Sequence, residues 1–230
     1  DAHAQLGIFG AASKIAMIMS MITQAFRYAY EPFVFGKSRD KDNKETYARA
    51  MKFFLIFTIL AFLVVMGYMD VLRHIIGRDY WIGLRVVPIV MAGGIMTGVY
   101  FNLSFWYKLI DKTIWGAYFS GIGCAVIIGI NVIFVPKYGY IACAWAGFLG
   151  NATAMVLSYI VGQRKYPIDY PLKSILIYVL IGGFFFAIIT YCNANLSVPE
   201  ALGVNTLVII AFIAHVIYHD MPQVIRKFKK

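Results

Sequence analysis

The sequence predicts an all-α, polytopic membrane protein with about seven transmembrane helices. Of the 230 residues, 61% are hydrophobic and 14% are charged, whereas soluble domains carry about 25% charged residues. The hydrophobic residues form long runs that approach the roughly 20 residues needed to cross a bilayer core. Lysines and arginines fall mainly between these runs. That placement argues against nucleic acid as a partner, although the net charge is +10.

Seven runs are predicted to span the membrane. The first contains charged residues, the second contains none, and the third is rich in glycine; the other four are separated by short polar segments. The segment Asp70–Tyr80 is too short to cross, so we expect an amphipathic turn at the outer interface. The predicted spans form one unit, residues 1–220, followed by a basic cytoplasmic tail, residues 221–230; they are 6–35, 53–69, 84–107, 113–136, 138–163, 174–198 and 201–218.

The distribution of basic residues predicts the orientation of these spans. The loops after spans one, three and five, together with the tail, hold fifteen lysines and arginines. The connections on the other side hold three. Because positively charged loops stay on the cytoplasmic side, we expect a cytoplasmic C-terminus.

Span one has two chemically different faces at 100° per residue. We expect the apolar face to contact lipid; it holds Ile8, Ile15, Ile22, Phe26 and Phe33. The other face needs water, a partner helix or a ligand, because a charge that faces hydrocarbon is costly; it holds Gly7, Gly10, Ser13, Lys14, Met17, Ser20, Met21, Gln24, Arg27 and Glu31. Lys14 either lines a central cavity that attracts an anion or pairs with an acid in a part of the protein outside this sequence.

Several other polar residues are candidates for substrate contact. Arg27 and Glu31 have the spacing of a helical ion pair, which would serve as a structural clamp, an inner gate or a substrate contact. Arg85 is either a substrate contact or an interfacial anchor. Asn102 precedes the aromatic run Phe105–Tyr107, whose rings would stack on sugars or form an interfacial belt. The predicted substrate-cavity residues are Lys14, Gln24, Arg27, Glu31, Arg85 and Asn102.

Span three carries a predicted hinge made of Pro88, Gly93, Gly94 and Gly98. Proline and glycine weaken a helix, and interrupted helices allow alternating access in transporters. The Gly94 to Gly98 spacing is equally typical of close helix packing. The sequence has no metal-binding spacing and none of the common hydrolase or ATPase motifs. We therefore predict no metal, no cofactor and no enzymatic activity.

Three motifs carry a family resemblance. They are G-x-x-G-A-x-x-K from residue 7, Q-A-F-R-Y-A-x-E-P-F from residue 24 and N-L-S-x-W-Y-K-L-x-D-K-T from residue 102. The stretches 7–35 and 98–167 resemble the C-terminal half of Wzx-type polysaccharide and O-antigen flippases, members of the multidrug/oligosaccharidyl-lipid/polysaccharide exporter superfamily. From residue 171 onward only the hydropathy agrees.

This resemblance implies a fold and a function. The seven spans would be the last seven of about fourteen, forming one lobe of a two-lobed transporter in the bacterial inner membrane. Its partners would be membrane lipid, the missing N-terminal lobe and a lipid-linked oligosaccharide of the undecaprenyl-pyrophosphate type, moved by alternating access. Lys14 and Arg27 would face the cavity, with Gln24 and Glu31 nearby. The chain begins without methionine, close to an apolar run, as expected of a piece of a longer protein.

Two alternatives predict different features. An ion-coupled drug exporter of the same superfamily would place an acid in the cavity, and no acid lies deep in these spans. A polytopic membrane enzyme of polysaccharide assembly would have a long outer loop, whereas the longest one here has only about a dozen residues.

Overall fold

The computed structural model describes residues 2–36 and 43–220, and their regular structure is entirely helical. Seven of the helices are long and apolar enough to cross a membrane. The prediction of an all-α membrane fold with about seven spans is therefore confirmed. The predicted tail, residues 221–230, and residues 37–42 of the first basic loop lie outside the described residues.

Nine α-helices and two 3-10 segments make up the regular structure of the described residues. Each predicted span overlaps one long helical segment. The third of these segments, Arg78–Leu109, begins with 3-10 helix and ends in a short α-helix. The helices are α1 (Ala2–Gly36), α2 (Asn43–Gly67), α3 (Met69–Leu72), α4 (Val87–Leu103), α5 (Phe105–Leu109), α6 (Ile114–Tyr138), α7 (Tyr140–Lys165), α8 (Leu172–Asn195) and α9 (Val198–Asp220), with 3-10 segments at Arg73–Ile75 and Arg78–Val86.

Helix α2 begins ten residues before the predicted start of its span at Phe53. Its first turns are polar, and Glu45 accepts a 2.6 Å ion pair from Arg49 one turn later. A span predicted from hydrophobic residues alone leaves these turns out. Charge pairs at this spacing nevertheless favour the helical conformation. The helix therefore extends beyond its hydrophobic run.

Helix α4 lies at the centre of the bundle. It packs against α1, α2 and α7, while α6 packs mainly on α7, and α8 and α9 pack on α2. The largest fully buried side chains include Met19, Phe54, Leu63, Met91 and Phe212. The core thus lies between α1, α2, α4 and α9, and α6 lies at the periphery of the bundle with little buried surface.

The two ends of the bundle differ in charge. At one end Lys108 pairs with Glu31, and Lys52 pairs with Asp220. We call this the basic end; α1, α5, α7 and α9 finish there, and α2, α6 and α8 start there. At the opposite end the Asn193 side chain donates to the carbonyl of Met66 at 3.3 Å.

The predicted hinge residues of α4 lie at close helix contacts. Pro88 is in the first turn of α4, where the helix loses no hydrogen bond to a proline. A Cβ on Gly93 would lie 3.3 Å from the Phe148 backbone, and one on Gly94 would lie 3.0 Å from Met19. Gly98 faces Phe54 and Thr23, with a Cβ only 3.0 Å from Thr23 Cγ2. These distances favour close packing, and the hinge stays a prediction.

The prediction that the apolar face of α1 contacts lipid is wrong for most of its residues. Ile15 is 3% exposed, and Ile8 and Phe26 pack against buried clusters. Ile22 is half-buried, and the side chain of Phe33 lies outside the described part. The apolar side chains of α1 hold it against α2 and α4, so its polar face is the one that points away from the bundle.

Candidate functional site

The six predicted substrate-cavity residues lie in three separate places. Lys14 and Gln24 are exposed on the outer face of α1. Arg27, Glu31 and Asn102 lie toward the basic end, around the ends of α1 and α4. Arg85 lies at the opposite end, beside the turn between α6 and α7. Within the described part of the chain, the six residues therefore do not form one continuous site.

Lys14 belongs to an exposed stripe along α1. The stripe residues follow one another at intervals of four and three, so they lie on one face of the helix. The stripe is mostly apolar, with Lys14 and Gln24 as its two polar side chains. Its methionines are well exposed: Met17 is 51% exposed and Met21 is 64% exposed. We call this set the α1 stripe; its members are Gly10, Lys14, Met17, Met21, Gln24 and Tyr28.

Lys14 lies within the membrane-spanning part of α1, which extends over His3–Pro32. Met19, five residues further on, packs beside Gly94 in the middle of α4. At 1.5 Å per residue, the Lys14 backbone is about 8 Å from that level along the helix axis. Among the described residues, no acid forms an ion pair with Lys14. The arrangement leaves a cation at membrane depth on an exposed face.

The ends of α1 and α5 are joined by a charge network. Arg27 Nε is 3.9 Å from Glu31 Oε2, and Lys108 Nζ is 2.6 Å from Glu31 Oε1. The Arg27 guanidinium also lies 4.9 Å from the centre of the Phe101 ring. The helical ion pair predicted for Arg27 and Glu31 is present but long. Sequence reasoning missed Lys108, because it was counted only as a basic loop residue and its partner is distant in sequence.

Asn102 is buried and donates to the carbonyl of Gly98 at 3.0 Å, so its amide group binds its own helix. The aromatic residues that follow are buried as well: Phe105, Trp106 and Tyr107 are 4%, 2% and 5% exposed. Neither sugar stacking nor an interfacial belt fits these rings. They instead fill the bundle near the basic end, where Trp106 contacts Ser158 on α7.

Arg85 takes part in a hydrogen-bonded arrangement at the opposite end. Its Nε donates to the Tyr140 hydroxyl at 2.7 Å, and that hydroxyl donates to the carbonyl of Ile82 at 3.2 Å. Gln5 at the start of α1 accepts from the Tyr140 backbone N–H at 3.0 Å. Sequence reasoning missed Tyr140 and Gln5, since nothing in their local sequence links them to Arg85.

The described residues contain no group of three His, Cys, Asp or Glu side chains that would hold a metal ion. No family model, curated protein or solved structure matches the chain. The fold therefore defines the class: a multi-pass, all-helical membrane protein with seven candidate spans.

Proposed function

We propose that the chain is one lobe of a transporter that moves a lipid-linked oligosaccharide across the bacterial inner membrane by alternating access. The class of substrate, an oligosaccharide on undecaprenyl pyrophosphate, comes from the sequence resemblance. The single observation that carries the proposal is Lys14, which is exposed at membrane depth and has no ion-pair partner within the described residues.

Lipid is an unsuitable neighbour for Lys14, the charged residue of the α1 stripe. A lysine at the centre of a membrane helix costs about 2.5–3.5 kcal/mol on insertion scales. The regular spacing of the stripe places its side chains on one face of α1, along which another helix can pack. A second helical lobe opposite α1 would supply a helix to pack on the stripe, and water between the lobes would surround Lys14. This is the arrangement expected of a two-lobed transporter.

A cation in this position suits an anionic substrate. The pyrophosphate of a lipid-linked sugar crosses a region of low dielectric constant, where a single opposite charge has a much larger effect than in water. Lys14 would offset part of that charge within the membrane. At the basic end, the Arg27–Glu31–Lys108 network would close the path between transport cycles, with that end on the cytoplasmic side.

Substitution of Lys14 tests the proposal. In a bacterial strain whose surface polysaccharide depends on this transporter, we expect Lys14→Ala to abolish the polysaccharide, since the substrate charge then lacks its partner. Lys14→Arg keeps the positive charge and should restore at least part of it. Polysaccharide is measured on gels and by antibody binding, and immunoblots of membranes measure the amount of protein.

Lys173→Ala is the matched control, because Lys173 is an exposed lysine on α8 that lies outside the α1 stripe. It should leave polysaccharide unchanged. Normal polysaccharide in the Lys14→Ala strain, with the protein present in the membrane, would contradict the proposed role. Equal loss of polysaccharide in both alanine variants would show that total charge causes the effect. That result would also contradict the proposed role of Lys14.

A further inference from the structure

An open cavity of about 550 Å³ lies at the end of the bundle opposite the basic end. Its walls come from the start of α1, the end of the Arg78–Val86 segment and the turn between α6 and α7. We propose that this cavity binds an oxyanion, either a phosphate or a carboxylate, through Arg85 and Lys137. The cavity shares no residue with the α1 stripe, so the inference does not depend on the proposed transport function.

The charge of the lining favours an anion. Among the described residues that line the cavity, Arg85 and Lys137 are the charged ones, and none is a carboxylate. In the preceding segment, Asp70 is engaged with Arg73 at 2.9 Å. Lys137 Nζ lies 5.5 Å from the centre of the Tyr138 ring, a cation–π contact. Two cations around one concave surface raise the local concentration of anions.

The Arg85 guanidinium is positioned for a bidentate contact. Its Nε donates to the Tyr140 hydroxyl, and the guanidinium lies 5.3 Å from the centre of the Tyr140 ring. Tyr140 is only 7% exposed, so the ring is a rigid support. The Nη1 and Nη2 groups have no hydrogen-bond partner in the described part of the chain. These two parallel donors match the two oxygens of a phosphate or a carboxylate.

The turn between α6 and α7 contacts Gln5 of α1, which supplies another donor to the cavity. Gly139 has φ 58° and ψ −140°, a backbone conformation that side-chain-bearing residues rarely adopt. A Cβ at Gly139 would lie 2.7 Å from Gln5 Cδ, so the absence of a side chain admits Gln5 to the turn. Since Gln5 Oε1 binds the Tyr140 N–H, the Gln5 NH2 group is left as a hydrogen-bond donor in the wall.

The same oxyanion chemistry has two sources in a membrane. One is the phosphate headgroup of an anionic bilayer lipid. The other is a charged group on a water-soluble or transported molecule. Both place negative oxygens against Arg85, and two experimental arms distinguish them.

In the first arm, inorganic pyrophosphate is the probe. The full chain is purified in an uncharged detergent at about 150 mM salt, where exposed charges further apart than about 8 Å are screened. Tryptophan fluorescence follows thermal unfolding as pyrophosphate is added. We expect the wild-type Tm to rise with concentration and Arg85→Gln to weaken the apparent affinity at least tenfold. Arg85→Lys should be intermediate, since it keeps the charge and loses the paired donors.

Arg78→Gln is the matched control. Arg78 begins the same 3-10 segment and is exposed, but it does not line the cavity. Its variant should respond to pyrophosphate like the wild type. Lys137→Gln removes an exposed cation without touching the Tyr140 contact, so it tests the site even if an Arg85 variant unfolds. It should weaken the response several-fold.

In the second arm, the chain is placed in nanodiscs of phosphatidylcholine with or without phosphatidylglycerol. Native mass spectrometry then counts the anionic lipids retained on release. Retention of phosphatidylglycerol that Arg85→Gln abolishes would identify the lipid headgroup, whereas a response to pyrophosphate alone would identify a soluble or transported group. The proposal is overturned if the wild type responds in neither arm, or if Arg85→Gln and Arg78→Gln behave alike.

Discussion

Glu31 on α1 and Lys108 on α5 form an ion pair of 2.6 Å across 77 residues of sequence. Both side chains are 29% exposed, so the pair is shielded but not sealed from solvent. Arg27 approaches the same carboxylate at 3.9 Å. The end of α1 is therefore joined to α5, the short helix that follows α4, at one acidic group. Removal of that group leaves two cations facing each other.

We predict that Glu31→Gln destabilises the protein by about 1–3 kcal/mol. Exposed ion pairs are worth about 1 kcal/mol or less, whereas breaking a buried pair costs about 3–5 kcal/mol, and this pair is intermediate in burial. Thermal unfolding in detergent provides the measurement. The exchanged variant Glu31→Lys/Lys108→Glu should recover part of the loss. If Lys108→Gln and Glu31→Gln leave Tm unchanged, the pair has no structural role.

Gly98→Ala should destabilise the bundle by about 1–3 kcal/mol, the usual cost of adding a methyl group to a filled core. The new Cβ would overlap the Phe54 ring and lie 3.0 Å from Thr23 Cγ2. Gly121→Ala is the control, because no atom lies within 4 Å of a Cβ at Gly121 on α6. Its Tm should stay level or rise slightly. Equal Tm values for the two variants would argue against close packing at Gly98.

The sequence was sufficient to predict the helices but not their packing. Long apolar runs of about 20 residues are a local property, and all seven have a helical counterpart. The faces of α1 depend on what surrounds it. Ile15 is an apolar residue that a lone helix would turn to lipid, yet it is 3% exposed because α1 needs an apolar contact with its neighbours.

In the candidate site, only contacts between residues close in sequence were predictable. The spacing of Arg27 and Glu31 indicates their helical contact, which is present at 3.9 Å. Nothing near Glu31 in the sequence indicates Lys108, and nothing near Arg85 indicates Tyr140. The first pair depends on how α1 and α5 pack, and the second on how the Arg78–Val86 segment and α7 pack. A single sequence carries no direct record of that packing.

Asn205 should contribute about 1 kcal/mol to stability. It is 0% exposed, and its Nδ2 donates to the Gly67 carbonyl at 2.9 Å and to Asn193 Oδ1 at 2.8 Å. Hydrogen bonds between membrane helices average about 0.6 kcal/mol and reach about 1.7 kcal/mol. We expect Asn205→Leu to lower Tm by a few degrees in detergent. Asn195→Leu, on an exposed residue that bonds within its own helix, should have no effect; matching losses would exclude a special role for Asn205.

The orientation of the bundle can be tested with cysteine labelling. The positive-inside rule places the basic end in the cytoplasm, so the connection between α5 and α6 should be inside and the one between α8 and α9 outside. Lys112→Cys and Ser197→Cys introduce exposed thiols at these two connections in a chain whose native cysteines are replaced by alanine. In intact cells, a membrane-impermeant maleimide should label Ser197→Cys and leave Lys112→Cys unlabelled until the cells are permeabilised. Labelling in the reverse order would contradict the predicted orientation, because the basic end would then lie outside the cytoplasm.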